Sequence, residues 1–267
     1  MKKAMWNLGF LSFLALSMPL SAWDTSPTWH ECCPEVIWAL ASYGGTWVTE
    51  IQIQDTTGGS QVSVFYDYNG GGTRNVINLW TSPGAWTSVK FANILQTLKL
   101  IDPTFDYYGT SGCLHFYTQD TDHKIRVSVR IVNGNYGKTY TAVSFINANC
   151  VNTGRNMTVM DLSRSAKYRT TLCVYNTNGG PHQFTFELYN GNGGLIGNAI
   201  QITLQGYKFY AFDPFALCNA PAGDYDNVVG VFWTIYCANP NLGLMVLGAT
   251  TNNYTNDPTT VFATQDY

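Results

Sequence analysis

Few residues in this chain are spaced for chemistry, and those that are suggest binding more than catalysis. Asp224-Tyr225-Asp226-Asn227 and Asp120-Thr121-Asp122 set oxygen-bearing side chains at alternate positions of short polar stretches. That is the donor set a hard cation such as calcium takes. Asp and Asn also populate turns because their side chains cap backbone amides, so both stretches read equally as plain turns. Between Thr170 and Tyr267 the only Lys or Arg is Lys208, against Glu187, Asp213, Asp224, Asp226, Asp257 and Asp266. The local charge therefore favours a cation, and no other cofactor is expected. Aromatic side chains offer a second chemistry. Trp80 and Trp86 flank Pro83-Gly84, and Tyr107-Tyr108 lies in a later loop. Exposed rings of this kind stack on the apolar face of a sugar, whereas buried ones only fill a core, the usual place for tryptophan.

Catalytic signatures are missing. The sequence has no GxSxG, HExxH, GxxxxGK[ST] or GxGxxG, the spacings that build nucleophile elbows, zinc proteases and phosphate cradles. His30, His115, His123 and His182 stand in unrelated positions. Carboxylate pairs such as Asp102 with Asp106, or Asp213 with Asp226, are no better placed than any other pair. The chain is expected not to be an enzyme.

Composition points to an exported β protein. Charged residues make up only 12% and aromatics 15%, with 25 glycines. Average soluble domains are about 25% charged. Lys2 and Lys3, the apolar run Leu8 to Leu16, and Ser21-Ala22 before Trp23 have the layout of a bacterial export signal over residues 1–22. No later stretch is long and apolar enough for a transmembrane helix, so the expected location is periplasmic, extracellular or on the cell surface. Seven cysteines (32, 33, 113, 150, 173, 218 and 237) would then meet an oxidising compartment. None is spaced CxxC. Disulfides are expected, with Cys218 and Cys237 a plausible local pair and one cysteine left over. Without Lys2 and Lys3 the chain carries 12 basic and 17 acidic residues, a balance that excludes a nucleic-acid partner.

An internal repeat organises the rest. At an offset of 121 residues Trp47–Ile53 meets Tyr168–Val174, and Thr56, Gly58 and Gly59 meet Thr177, Gly179 and Gly180. At 122, Gly71, Gly72, Gly84 and Leu95 meet Gly193, Gly194, Gly206 and Leu217. At 118, Asn135-Tyr136 meets Asn253-Tyr254. Both copies alternate apolar and polar residues as strands do, for example Ile125, Val127, Val129 and Ile131 against Lys124, Arg126, Ser128 and Arg130. Gly- and Asn-rich turns punctuate them. The expectation is an all-β chain of two tandem immunoglobulin-like β-sandwich domains, residues 23–149 and 150–267, with jelly-roll sandwiches as the alternative. Tyr168-Arg169-Thr170-Thr171-Leu172, Phe186-Glu187-Leu188-Tyr189-Asn190 and Leu204-Gln205-Gly206 resemble the R-T-x-L, x-L-Y-D-x-x-G and L-x-P-G pattern of bacterial secreted Ig-like proteins. Asn190 replaces the acidic residue and Gln205 the proline. The resemblance implies an exported sandwich and assigns no chemistry.

Comparing the copies suggests an interface. At offset 118 the outward residues Lys124, Arg126, Ser128 and Arg130 become Leu242, Leu244, Val246 and Gly248. The preceding segment, with Trp233, is also nearly all apolar. A sheet apolar on both faces must be covered on both, either by the rest of the chain or by a partner. The expected role is structural, adhesive or assembly-forming, through contact with itself or another surface protein via Leu242, Leu244, Val246 and Trp233. The alternative is a carbohydrate-binding module, with or without the assistance of calcium.

Overall fold

A computed structural model describes residues 30–265 apart from 42–43, 70–71, 119–123, 145–155, 178–179, 235–243 and 256–257. The expected export signal, Asp120, Asp122, Cys150, Cys237 and Leu242 lie outside the described residues.

The chain is all-β, in antiparallel sheets with two short helices among the described residues. Its first half holds β1 (His30–Leu40), β2 (Thr46–Asp55), β3 (Gln61–Tyr68), β4 (Gly72–Thr81), β5 (Ser88–Phe91), α1 (Ile94–Ile101), β6 (Thr110–Thr118), β7 (Ile125–Asn133), β8 (Tyr136–Thr141) and β9 (Val143–Ser144). The second half holds β10 (Met157–Arg164), β11 (Tyr168–Asn176), β12 (His182–Tyr189), β13 (Ile200–Leu204), β14 (Lys208–Phe212), α2 (Pro214–Leu217), β15 (Tyr225–Trp233), β16 (Leu244–Asn252), β17 (Pro258–Phe262) and β18 (Thr264–Gln265).

Strands pair in the same order in both halves. The first half has β4-β3-β6-β1-β9 and β5-β2-β7-β8; the second has β13-β12-β15-β10-β18 and β14-β11-β16-β17. One link differs. Ala39 and Leu40 at the end of β1 pair with Trp47 and Thr46 of β2, so the first half's two sheets run on as one of nine strands, while the second half's stay separate. Each half places one helix after its fifth strand. Asn93 caps α1 by accepting from the Gln96 amide, and Asp213 caps α2 by accepting from Phe215 and Ala216. Ile94, Leu95 and Leu98 of α1 are buried. At eight and four residues neither helix is long enough to declare a 3.6-residue period.

Alternation builds the cores. On β7, Ile125, Val127, Val129 and Ile131 are buried while Arg126, Ser128 and Arg130 are exposed. They join Ile51, Ile53, Val64, Tyr66, Leu114 and Phe116 in one cluster. Val159, Leu172, Val174, Phe186, Phe232, Leu244 and Val246 form the core of the second half.

This placement corrects the interface expectation. Gln52 pairs with Ser128 on β2 and β7, and its counterpart Cys173 pairs with Leu247 on β11 and β16. The offset between β7 and β16 is therefore 119, not 118. A shift of one residue moves every side chain of a strand to the other face. Leu244 and Val246 point into their own sandwich, and Gly248 faces Val159 and Leu162 across it. The side chains on the outer face are Met245 and Leu247, and with Cys173, Tyr175 and Phe209 they belong to the same buried cluster as the first half's core. The apolar second face is thus covered by the other half of the chain. Trp233 is half-buried, its indole nitrogen donating to Glu187 at 3.0 Å.

Burying each such large side chain is worth about 1.5–3 kcal/mol. Leu247→Ala is accordingly expected to cost about 2–5 kcal/mol in urea unfolding, as for a core leucine. A loss below about 0.5 kcal/mol, the surface value, would show that this face is not covered.

Candidate functional site

The face of the first half that receives β11, β14 and β16 carries a polar cluster. Strand register assembles it. Cys32 of β1 lies directly across from His115 of β6, and Asp67 of β3 across from Cys113. Cys113 and His115 are two apart on one strand, so all four side chains project from one face. Cys32 Sγ is 2.9 Å from Cys113 Sγ, and His115 Nε2 is 3.3 Å from Cys113 Sγ and 3.5 Å from Asp67 Oδ2. Tyr175 of β11 closes the cluster from the second half. Its hydroxyl donates to Asp67 Oδ2 at 2.6 Å, and its ring lies 4.8 Å from the imidazole. Thr73 donates to the other Asp67 oxygen. Every member except Thr73 is buried.

Burial and charge pull these groups in opposite directions. Burial disfavours an ionised Cys32, but its contacts with Cys113 and His115 outweigh it and bring the thiol down to about 6. For His115 burial opposes the cation, while Cys32 and Asp67 outweigh it and push the imidazole up to about 10. Asp67 is held below the usual carboxylate range despite burial, by His115, Thr73 and Tyr175. Burial, then Cys32, drives the Cys113 thiol up. Ligand-type atoms of Cys32, Cys113 and His115 all lie within 4.8 Å of one another, so the set has the chemistry to hold a soft metal or to form a sulfur–sulfur bond.

Beside this cluster the halves leave a cavity of about 220 Å³. Glu35, Trp47 and Lys138 line it from one side, and Arg169, Cys173, Phe209 and Thr251 from the other. Glu35 sits where the β1–β6 register shifts between Cys33 and Val36, a bulge that re-aims a side chain. It pairs there with the buried Lys138. Arg169 donates to Asn253 at 2.7 Å.

The sequence-expected residues are dispersed. Tyr107 is fully buried in the first core and cannot reach a sugar, a correction to the carbohydrate set. Trp80 is half-buried against the same core, and Tyr108 packs edge-on to Trp38. Tyr108 is 41% exposed, and Trp86 is the most exposed of the four at 72%, with φ +63°. Asp55 builds its support. The Asp55 carboxylate accepts from the amides of Thr57, Gly58 and Ser60, and its carbonyl accepts from the Trp86 amide at 2.7 Å. Gly58, at φ +94°, lies so close to the Trp86 turn that a Cβ would stand 2.6 Å from the Ala85 nitrogen. Asp224, Asp226 and Asn227 are exposed at the start of β15, with Tyr225 turned to pack on Phe215. Cys218 is buried in the second core; its expected partner Cys237 lies outside the described residues. Sequence reasoning missed the seam cluster. Its local signal was Cys113-x-His115, the spacing that puts two side chains on one strand face.

No family model matches the chain, and no curated protein does. Among solved structures, a lectin from Pleurotus ostreatus in complex with GalNAc is similar over 88% of this chain and 75% of that one, at 11% identity and a TM-score of 0.22.

Two outcomes follow from this geometry. Tyr175→Phe leaves Asp67 short of one donor inside the seam and should cost about 1–3 kcal/mol in denaturant unfolding; Asp67→Asn should reduce that cost in a double-mutant cycle. Asp55 has a depressed folded-state pKa, through its three backbone amides acting against burial. Its stabilisation is therefore complete above the unfolded value of about 3.9 and is lost as pH falls below it. Asp55→Asn should flatten the loss of stability between about pH 4 and 2 relative to the parent protein.

Proposed function

We propose that the chain is an exported, non-catalytic β-sandwich protein with an adhesive or assembly-forming role, built by duplication of one sandwich. The common pairing order of the halves supports the duplication, and the Lys2–Ala22 pattern supports export. Trp86 carries the functional reading. A bulky residue with positive φ is uncommon, and a large aromatic side chain held in that conformation by Asp55 and Gly58, yet left in solvent, contributes little to its own core. Strain of this kind clusters where a protein meets a ligand or partner. Leu100, 80% exposed on α1, and Ile77 and Leu40 add further apolar contact points.

A second reading rests on the cavity between the halves. Trp47 and Phe209 offer rings, and Glu35, Lys138 and Arg169 offer charged hydrogen-bonding groups, on a space of about 220 Å³. Drug-sized ligands take about 300–1,000 Å³, so a monosaccharide unit is the matching scale. Light scattering on residues 23–267 separates the two readings. Concentration-dependent assembly that Trp86→Ser abolishes without lowering the melting temperature supports the first. A monomer whose tryptophan fluorescence shifts with monosaccharide, and loses that shift in Trp47→Phe, would favour the second.

A further inference from the structure

We infer that Cys32 and Cys113 form a disulfide that staples β1 to β6 across the seam-facing side of the first half and is sealed in when the second half docks. The bridged residues are 81 apart in sequence, so the bond would close a long loop of the first half, the case in which cross-linking restricts the unfolded chain most.

Three observations carry the assignment. The first is distance. Two thiolates on one tetrahedral zinc, each about 2.3 Å from the metal, stand about 3.8 Å apart. The 2.9 Å between these sulfurs is well inside that, on the way to the bond length of about 2.0 Å. The second is the hydrogen bonding. Asp67 already meets His115, Thr73 and Tyr175, so joining the two sulfurs takes no partner from the buried carboxylate. The third is the neighbourhood. Cys33, next in sequence, turns to the opposite face of β1 into the first core, across from Leu114. Cys173 lines the cavity beside Glu35. Among the described cysteines, Cys113 is therefore offered one partner on its own face.

The chemistry is thiol–disulfide exchange with a disulfide oxidant, either a small molecule or a protein. The Cys32 thiolate attacks one sulfur of the oxidant and expels the first thiolate. Cys113 then attacks Cys32 Sγ and expels the second. The oxidant's S–S bond is exchanged for the Cys32–Cys113 bond, and the two protons released by the cysteines end on the departing thiolates. Both sulfurs are fully buried, and Tyr175 lies over His115. The oxidant must therefore act before β11 and β16 close over the site.

The test is to refold the full chain from the reduced, unfolded state in a glutathione and glutathione disulfide buffer. The product is quenched with acid, alkylated and digested for peptide mass analysis. A peptide joining Cys32 to Cys113 is expected, absent from Cys32→Ser and from Cys113→Ser. Reduction should lower the melting temperature of the parent protein by more than it lowers that of either variant. Comparing the oxidised and reduced parent keeps the test open if a variant fails to fold. Recovery of both cysteines as alkylated thiols, pairing of either with another cysteine, or zinc retained at one per chain and lost in both variants would each overturn the assignment. The buffer, not the cell, sets the redox conditions, so failure of the export proposal leaves this result intact. Cleavage after Ala22 on expression tests export separately.

Discussion

One covered surface holds the molecule together. The sheet of β14, β11, β16 and β17 is apolar on both sides, and its outer side chains are completed only by the first half. Water would otherwise wet Cys173, Tyr175, Phe209, Met245 and Leu247. Dehydrating them supplies the drive for docking, but a purely apolar contact would tolerate sliding. Registration comes from the polar contact at the same place, since the Tyr175 hydroxyl has to meet Asp67. A buried carboxylate without its donors is costly, which penalises every displaced arrangement.

The same contact explains why the residues best equipped for chemistry are the least accessible. Cys32, Cys113, His115 and Asp67 perturb one another strongly because the second half has excluded water from around them. Perturbed side chains of this kind often mark reaction centres, and here all four are buried, with Tyr175 of the second half over His115. In the first half Trp86 stands in solvent instead, raised on a turn that is fixed by the oxygens of a single aspartate.

Much of the architecture was legible in the sequence. Period-2 alternation located β2 and β7, glycine-rich stretches located turns, and the offset of about 121 residues anticipated a pairing order common to both halves. Faces were harder. The chain from β2 to β7 differs in length from that between β11 and β16, and aligning β16 one residue short reversed inside and outside, putting Leu244 and Val246 where Met245 and Leu247 belong. No local signal separates the two choices when residues on both faces are apolar. The seam cluster was hidden for a different reason. Its members come from β1, β3, β6 and β11, and only strand register and docking bring them together. Trp86 was singled out in the sequence, but its isolation from Trp80 and Tyr107 came from burial that spacing does not encode.

The opposite surface of the first half has a bearing on how such a chain could grow. There the outer face of β5, β2 and β7 is set with Gln52, Arg126, Ser128 and Arg130, and Glu50 bridges Lys90 at 3.0 Å and Arg130 at 3.6 Å. Repeat arrays require a polar cap at each end, and this surface has that character. A third sandwich appended ahead of the first would find no apolar ground to settle on. Stacking by the contact that joins the two halves therefore stops at that surface, which carries charges where the outer face of β16 carries Met245 and Leu247.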